Sequence, residues 1–407
     1  MKFCLIGEKL SHSYSAEIHS LMGLDYQLNQ IEKSQLENFV KDNNFSGYNV
    51  TIPYKKEIIT YLDEVDHLAK EIGSVNTVVK ANGKNIGYNT DFFGLDYLFK
   101  NAKINCKNKK VLILGGNGGV GQTVQTYLKS QKAKDIVVVS RTGDVNYQNI
   151  YTQKDAQIII NATPIGMFPD NMGEIIDLSK FEKLVGVVDL IYNPFQTNIL
   201  YQAKKLKIKC SNGLSMLVAQ ALLSNQLWTG KKIKLKQISE IAKKIYSNKN
   251  NIVLIGMPSS GKTTIGKLLA QQLKKEFVDT DQEIFNLTGQ KPSSIILEKG
   301  EPYFREIESK IIDNLYKKNG LVIATGGGAV LKEENRIKLA QNGFAVFVKR
   351  KLNNLSKKDR PISQQNGIKG LYKNRKKIYK DFSDVCVNNN KNVQKCVKEI
   401  LKLLWKF

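Results

Sequence analysis

Two glycine-rich loops of different kinds constrain this 407-residue chain more than any other feature. The first, Gly115-Gly-Asn-Gly-Gly-Val-Gly121, directly follows the apolar run Val111–Leu114. The second, Gly256-Met-Pro-Ser-Ser-Gly-Lys-Thr263, directly follows Ile252–Ile255. Each joins a strand-like run to a helical stretch through a loop with few side chains. Parallel sheets with crossover helices are built this way, and their loops hold phosphate against the amides that open the next helix. The chain is too long for one ordinary core, and the two loops lie far apart, so two or three α/β domains are expected. The loops differ, which argues against a repeat array.

Composition narrows the class. Hydrophobic residues make up 42% and charged residues 24%, a globular balance. The longest apolar stretches, such as Val111–Leu114 and Leu184–Val188, are far too short to span a membrane, and the N-terminus has no signal-peptide pattern. The five cysteines, Cys4, Cys106, Cys210, Cys386 and Cys396, are odd in number and lack CxxC spacing. They read as free thiols in a reducing compartment, so a cytoplasmic protein is expected. The net charge of +25 is heavier beyond Ser247, but the lysines are dispersed and form no basic–aromatic stripe. Steering of phosphorylated and carboxylated small ligands accounts for it, with neither nucleic acid nor membrane expected as partner. In the segment Val393–Trp405, the apolar residues Val393, Cys396, Val397, Ile400 and Leu404 recur at helical spacing, as in a core-packed helix.

In the first loop, Gly116, Gly118 and Gly121 have the dinucleotide-binding spacing. A second strand-like run, Asp135–Val139, leads to Ser140-Arg141-Thr142 at the distance where that fingerprint meets the ribose. A guanidinium and two hydroxyls stand there in place of a carboxylate, which suits a 2′-phosphate and hence NADP. The hundred or so residues before this loop leave room for a separate substrate domain. They carry Gly47-Tyr-Asn-Val-Thr-Ile-Pro-Tyr-Lys55, Ser74-Val-Asn-Thr77 and Gly87-Tyr-Asn-Thr-Asp91, polar groups of the kind found at strand ends and turns that meet substrates.

Together with His12-Ser-Tyr-Ser15, Asn161-Ala-Thr163, Asp189-Leu-Ile-Tyr-Asn-Pro194 and Gly213-Leu-Ser-Met-Leu-Val-Ala-Gln220, this ordered set resembles the shikimate dehydrogenase family from Met1 to about Tyr246. The resemblance implies an α/β substrate domain at 1–101, completed by helices at about 214–246, and a Rossmann NADP domain at 102–213. It also implies NADPH-dependent reduction of 3-dehydroshikimate to shikimate, with Lys55 and Asp91 as the catalytic pair. Reduction of a ketone needs a proton at oxygen while hydride reaches carbon, and a shielded ammonium held by a carboxylate can polarise and protonate that oxygen. By the same resemblance Ser13 and Ser15 grip the substrate carboxylate, while Thr51, Asn76, Tyr192 and Gln220 bond to its carboxylate or ring hydroxyls. Gly116, Asn117, Gly118, Gly119, Val120, Ser140, Arg141, Thr142, Leu190 and Gly213 line the cofactor, and Met216 joins Gly213 beside the nicotinamide. The chain departs from the family at Ala16, where proline is usual, and at Ser140.

The second loop satisfies the Walker A pattern, with Lys262 neutralising the β/γ-phosphates of ATP and the Thr263 hydroxyl ligating Mg²⁺. Asp279-Thr-Asp281, Gly300–Glu308, Gly326-Gly-Gly328, Arg360-Pro361 and Arg375 extend it into a resemblance to shikimate kinases from about Asn251 onward. That implies a P-loop, NMP-kinase-like parallel-sheet domain at 252–407, after a polar linker at 247–251, which phosphorylates shikimate to shikimate 3-phosphate. Asp281 would orient or deprotonate the acceptor hydroxyl, and Asp279 would lie beside the metal's water shell. Arg305 and Arg375 would fork onto the acceptor carboxylate, and Gly326, Gly327 and Gly328 would lie against its ring. Ser259, Ser260, Gly261, Lys262, Thr263, Thr264 and Arg360 would surround ATP. Taken singly, Arg305 could form a surface bridge to Glu308, and Arg375 could belong to the solvated run Lys373–Lys377. The lid segment Leu352–Arg360 is short for the family, with Lys357 and Lys358 where an adenine-stacking arginine is usual.

The two implied reactions are consecutive, since the product of the first is the acceptor of the second. Two other readings stay open: an NAD-using quinate/shikimate dehydrogenase joined to the kinase, and a degenerate pair of folds with a regulatory or nucleic-acid-binding role. All four of Lys55, Asp91, Lys262 and Asp281 are present, as an active enzyme requires.

Overall fold

The computed structural model describes residues 1–10, 13–42, 44–356, 360–390 and 392–404. His12, Lys357, Lys358 and Trp405 lie outside the described residues. The chain divides into two compact units, Met1–Ile245 and Tyr246–Phe407.

The first unit holds two sheets. Strands β1 (Lys2–Gly7), β2 (Asp25–Gln30), β3 (Gly47–Val50), β4 (Glu64–Val65), β5 (Thr77–Ala81) and β6 (Lys84–Tyr88) form a mixed sheet in the order β2-β1-β3-β5-β6-β4. β1 runs parallel to β2 and β3, and β5 runs antiparallel to β3 and β6. Side chains of β1 alternate between two apolar layers, as the period of a strand requires. Cys4 and Ile6 pack with Leu36, Tyr48, Tyr54 and Ile58, whereas Phe3 and Leu5 pack with Leu10, Tyr26 and Trp228. Trp228 comes from the distant helix Leu214–Thr229, stacks on Phe3 at 4.6 Å, and donates from Nε1 to the Val78 carbonyl at 2.9 Å. A side chain at Gly47 would meet that indole nitrogen at 2.4 Å, so the glycine lets the helix close over the sheet.

Strands β7 (Lys110–Leu114), β8 (Asp135–Val139), β9 (Ile158–Asn161), β10 (Gly186–Asp189) and β11 (Lys209–Ser211) form the second sheet, in the order β11-β10-β9-β7-β8 and parallel throughout. The strand order reverses at β7, which has β8 on one side and β9 on the other. A doubly wound sheet binds its nucleotide in the crevice at such a point, and the first glycine loop leaves from there. Helix Asp91–Ala102 leads into this sheet, placing Leu95, Leu98 and Phe99 in one core with Val111, Ile113 and Val124. It crosses helix Leu214–Thr229 closely, since a Cβ on Gly94 would lie 2.8 Å from the Met216 carbonyl.

The second unit is built on β12 (Asn251–Ile255), β13 (Glu276–Asp279), β14 (Leu321–Ala324), β15 (Gly343–Lys349) and β16 (Val385–Asn388). They form an all-parallel sheet in the order β13-β14-β12-β15-β16, with the Walker loop leaving the central strand. Helix Val393–Leu404 packs Cys396, Val397 and Ile400 into the core beside it.

The polar segment 247–251, expected as the linker, takes part in regular structure at both ends. Ser247–Lys249 complete helix Leu235–Lys249, and Asn251 opens β12. Asn250 and Asn251 are each tied to another segment of the second unit. Asn251 Nδ2 donates to the Lys318 carbonyl at 2.8 Å and its Oδ1 accepts from Leu321 N–H at 2.8 Å, while Lys275 Nζ donates to the Asn250 carbonyl at 2.6 Å. All five cysteines are free, with Cys4, Cys106 and Cys396 buried. Among the described residues no helix is long and apolar enough to cross a membrane.

Candidate active sites

In the first unit the turn after β3 carries Lys55, and helix Asp91–Ala102 opens with Asp91. Their side chains meet at 2.6 Å between Nζ and Oδ2, with only 15% and 7% of each exposed. The other carboxylate oxygen, Oδ1, accepts from Asn76 Nδ2 at 3.0 Å. Asp91 therefore has an ammonium on one oxygen and an amide on the other, at a helix N-terminus whose dipole favours an anion. Asn76 Nδ2 also comes within 3.4 Å of Gln220 Oε1, bringing four of the expected residues together. Ser13, Ser15 and Tyr192 form a second group. Ser13 Oγ accepts from Ser15 N–H at 3.2 Å, and the half-buried Tyr192 phenol, its pKa raised by desolvation, bonds to Ser13. Thr51 is half-buried where β3 ends, against Gly7, whose Cβ would lie 2.6 Å from the threonine methyl.

The first glycine loop lies directly over the lysine. A Cβ on Gly119 would stand 3.4 Å from Lys55 Cβ and 3.1 Å from Ser74 Oγ, a buried hydroxyl with no partner among the described residues. Lys56 Nζ donates to the Asn117 carbonyl at 3.3 Å. Gly121 packs against the Gly116 carbonyl, where a Cβ would be 2.4 Å away, and Gly118 faces open space. Val120 is half-buried against the core, and helix Gly119–Ser130 points its first amides out of the loop. This cradle, narrow at Gly119 and Gly121 and open at Gly118, fits a dinucleotide pyrophosphate. Ser140, Arg141 and Thr142 follow β8. Arg141 and Thr142 are exposed, and the guanidinium makes no ion pair among the described residues. Leu190 and Gly213 touch: a Cβ on Gly213 would sit 2.1 Å from the Leu190 carbonyl oxygen, which requires glycine.

Asp189 has a structural role that its sequence motif does not reveal. The residue is wholly buried, and burial pushes its pKa up to about 7 against three donors. Those donors are Thr197 Oγ1 at 2.5 Å, Asn161 Nδ2 at 3.0 Å and Ile191 N–H at 3.0 Å. It fixes the turn that carries Leu190 and Tyr192. A carboxylate ending the apolar run of β10 was the available signal.

In the second unit the Walker loop takes backbone angles that favour glycine, with φ of 141° at Gly256 and 95° at Gly261. Lys262 is buried with Nζ on the carbonyls of Gly256 and Met257, each at 3.0 Å, and burial lowers its pKa to about 8. Thr263 donates to Asp279 Oδ2 at 2.6 Å, and Asp279 Oδ1 accepts from Asp281 N–H at 3.0 Å, capping helix Thr280–Thr288. Arg360 reaches Asp281 at 3.2 Å. Thr264 is exposed beside the loop, Ser259 is bonded to the Ser356 carbonyl, and Ser260 Oγ is buried without a partner among the described residues. No group of three His, Cys, Asp or Glu among the described residues could hold a metal. The hydroxyl–carboxylate pair Thr263–Asp279 suits a cation that arrives on the phosphates of its nucleotide.

The triglycine turn is the junction of this site. A Cβ on Gly328 would lie 2.1 Å from the Arg305 guanidinium, and one on Gly326 would lie 2.5 Å from Glu308 Oε1 and 3.3 Å from Asp281 Oδ1. The Gly327 carbonyl accepts from Arg375 at 3.2 Å and also from Tyr379. The Arg305–Glu308 pair exists at 2.7 Å, but Glu308 is fully buried, so the pair is interior and not a surface bridge. Nor is Arg375 part of a solvated run, being only 4% exposed on the helix face it shares with Leu371 and Tyr379. Glu301 holds the rest of the Arg305 fork, and a pocket of about 470 Å³ opens on that flank between Pro302, Leu331 and Asn335. Sequence reasoning missed Tyr379 and Asn389, whose Nδ2 donates to the Ser260 carbonyl at 2.8 Å and braces the Walker loop. Glu308, three residues after Arg305, was weighed only as a surface partner.

Fold and side chains together define a dinucleotide-dependent oxidoreductase in the first unit and a P-loop phosphotransferase in the second. Residues 5–78 match the family model of the shikimate dehydrogenase substrate-binding domain, and residues 258–405 match that of shikimate kinase. The NADP(+) shikimate dehydrogenase of Clostridium perfringens is 36% identical over 253 residues, an alignment covering 57% of this chain and 93% of that protein. The crystal structure of a chorismate mutase/shikimate 5-dehydrogenase fusion protein from Clostridium acetobutylicum superposes with a TM-score of 0.56 at 34% identity, over 60% of this chain and 96% of that one. Thermus thermophilus shikimate 5-dehydrogenase, solved with NADP(H) and shikimate, gives 0.53 at 28% identity, over 60% and 99%. The chain belongs to the shikimate dehydrogenase family and continues into a domain that matches the shikimate kinase family.

Proposed function

We propose that this chain is a bifunctional enzyme that reduces 3-dehydroshikimate to shikimate in its first unit and phosphorylates shikimate to shikimate 3-phosphate in its second. The observation that carries the first reaction is the shielded Lys55–Asp91 pair lying under the dinucleotide loop. NADPH, when bound, supplies hydride to the ketone carbon. Lys55 gives the proton to the ketone oxygen, and Asp91 keeps the ammonium in place. Ser13, Ser15, Thr51, Asn76, Tyr192 and Gln220 orient the acid, and Leu190, Gly213 and Met216 border the nicotinamide. Arg141, exposed after β8 and without an ion pair among the described residues, favours NADP over NAD and weighs against the NAD-using alternative.

The second reaction rests on the convergence of Asp281, Arg305, Glu308 and Arg375 on Gly326–Gly328, beside Lys262. Arg305 and Arg375 fork onto the shikimate carboxylate, and Asp281 receives the hydroxyl proton or aims the hydroxyl. Lys262 and Arg360 offset the charge that develops on the transferring phosphoryl group, while Thr263 and Asp279 place Mg²⁺. The partners are small acids and nucleotides, drawn in by the positive charge, and not nucleic acid or membrane. Five free thiols, three of them buried, suit the cytoplasm. The test is a one-pot reaction with 3-dehydroshikimate, NADPH, ATP and Mg²⁺. Shikimate 3-phosphate detected by mass spectrometry supports the proposal, and its absence at high enzyme concentration removes it.

A further inference from the structure

Behind the Lys55–Asp91 pair lies a buried polar set that proton transfer does not itself call for: Tyr26, Asn49, Thr77, Thr90 and Ser224. Thr77, Thr90 and Ser224 have no exposed surface, and Asn49 has 5%. Groups with a single hydrogen-bonding sense fix the direction of the rest. Asn49 Nδ2 donates to the Asn76 carbonyl at 3.1 Å, so Asn49 Oδ1 turns the other way and accepts from the Tyr26 phenol at 2.7 Å. The same Nδ2 reaches the hydroxyls of Thr77 at 2.9 Å and Ser224 at 3.0 Å. Thr90 N–H donates to Asn76 Oδ1 at 2.7 Å, which leaves Asn76 Nδ2 facing Asp91. Between these fixed ends the Thr77 hydroxyl meets Thr90 Oγ1 at 3.1 Å, and the Ser224 hydroxyl donates to the Gln220 carbonyl at 3.0 Å. His19 stacks on Tyr26 at 3.9 Å and closes the far end. Burial lowers its pKa to about 3, so it brings no charge to the set.

We propose that Thr77 and Ser224 are positioning residues for the ketone reduction. Their hydroxyls hold Thr90 and Asn76 so that the Asn76 amide stays on Asp91, and they tie helix Leu214–Thr229, with Gln220, to the same frame. This rests on reading the first unit as a 3-dehydroshikimate reductase. Satisfied buried networks of this kind stiffen a site, while a missing member strands its neighbours. Neither residue reaches the reacting atoms, so the effect acts on kcat through geometry.

The experiment uses the full chain with Thr77→Val, which keeps the shape of the strand residue, and Thr77→Ser, which keeps the hydroxyl. Reduction of 3-dehydroshikimate with NADPH should lose about tenfold in kcat in Thr77→Val, with KM within about twofold, as expected for one broken buried bond felt at the transition state. Thr77→Ser should recover to within about twofold of wild type. A wild-type kcat in Thr77→Val, or a Thr77→Ser variant as slow as Thr77→Val, overturns the proposal. If Thr77→Val no longer binds NADP⁺, Ser224→Ala decides: a several-fold loss in kcat at unchanged KM supports the proposal, and a wild-type kcat overturns it. Failure of the wild type itself to reduce 3-dehydroshikimate would remove the underlying reading, a different result from a variant that matches an active wild type.

Discussion

The two lysines at the centres of the two units are held in opposite ways. Lys55 has a fixed counter-charge at 2.6 Å, and that carboxylate is in turn gripped by an amide. Lys262 rests on two backbone carbonyls, and burial pulls its pKa down to about 8. A lysine that must hand a proton to a neutral ketone needs its ionic partner within the protein. A lysine whose partner is a nucleotide phosphate can await that charge, held meanwhile by neutral dipoles. The surroundings differ in the same sense. Asn76 and Gln220 back the first pair as buried neutral groups, whereas Arg360–Asp281 in the second is 40% and 30% exposed and open to rearrangement around a ligand.

The contrast breaks most sharply by removing one member of each pair. Asp281→Asn should cost the kinase reaction about 10³-fold or more in kcat, in the upper range for acid–base and electrostatic groups, with dehydrogenase rates unchanged. Lys55→Ala should cost the reduction about 10²–10⁴-fold while phosphorylation stays within a few-fold, since the two units have separate cores. If either change silences both reactions, the independence of the sites is lost. Arg141→Ala should raise KM for NADPH about tenfold and leave NADH nearly untouched, the size of one charge-assisted bond to a 2′-phosphate. Equal effects on both nucleotides would remove the NADP assignment. The smallest effect is on pH. Below about 8 Lys262 carries its charge and holds phosphate, so ADP affinity measured by calorimetry should weaken several-fold as pH rises from 7 to 9. Stability moves the other way. The buried lysine takes up its proton less readily than in the unfolded chain, so its contribution rises with pH from about 8 toward 10.5, the ordinary lysine value. A Lys262→Met variant should lose both trends.

What was legible followed from how locally each feature is encoded. Both phosphate loops could be read because strand, turn glycines and helix start lie within a dozen residues, and the positive φ angles fall on glycines of the motif itself, Gly256 and Gly261. The meeting of Lys55, Asn76, Asp91 and Gln220 came from motif order, since no spacing rule joins residues so far apart. Burial was not legible. Glu308 and Arg375 sit in charged stretches that look solvated, and only packing against Gly326–Gly328 takes them inside. Asp189 reads as a loop acid until Thr197 and Asn161 are seen bonded to it. The asparagines at 250 and 251 suggested a turn because side-chain amides often cap turns, but here the Asn251 amide bonds to the backbone of Lys318 and Leu321, and the Asn250 carbonyl accepts from Lys275.

An enzyme that carries out both reactions needs a pocket for the same small acid in each unit. Calorimetric titration of the full chain with shikimate, in the presence of NADPH and ADP so that neither site can turn over, measures that directly. Two shikimates should bind per chain, falling to one in Arg305→Ala and to one, at the other site, in Ser15→Ala. A single site in the unmodified chain, or a stoichiometry that neither substitution lowers, contradicts it.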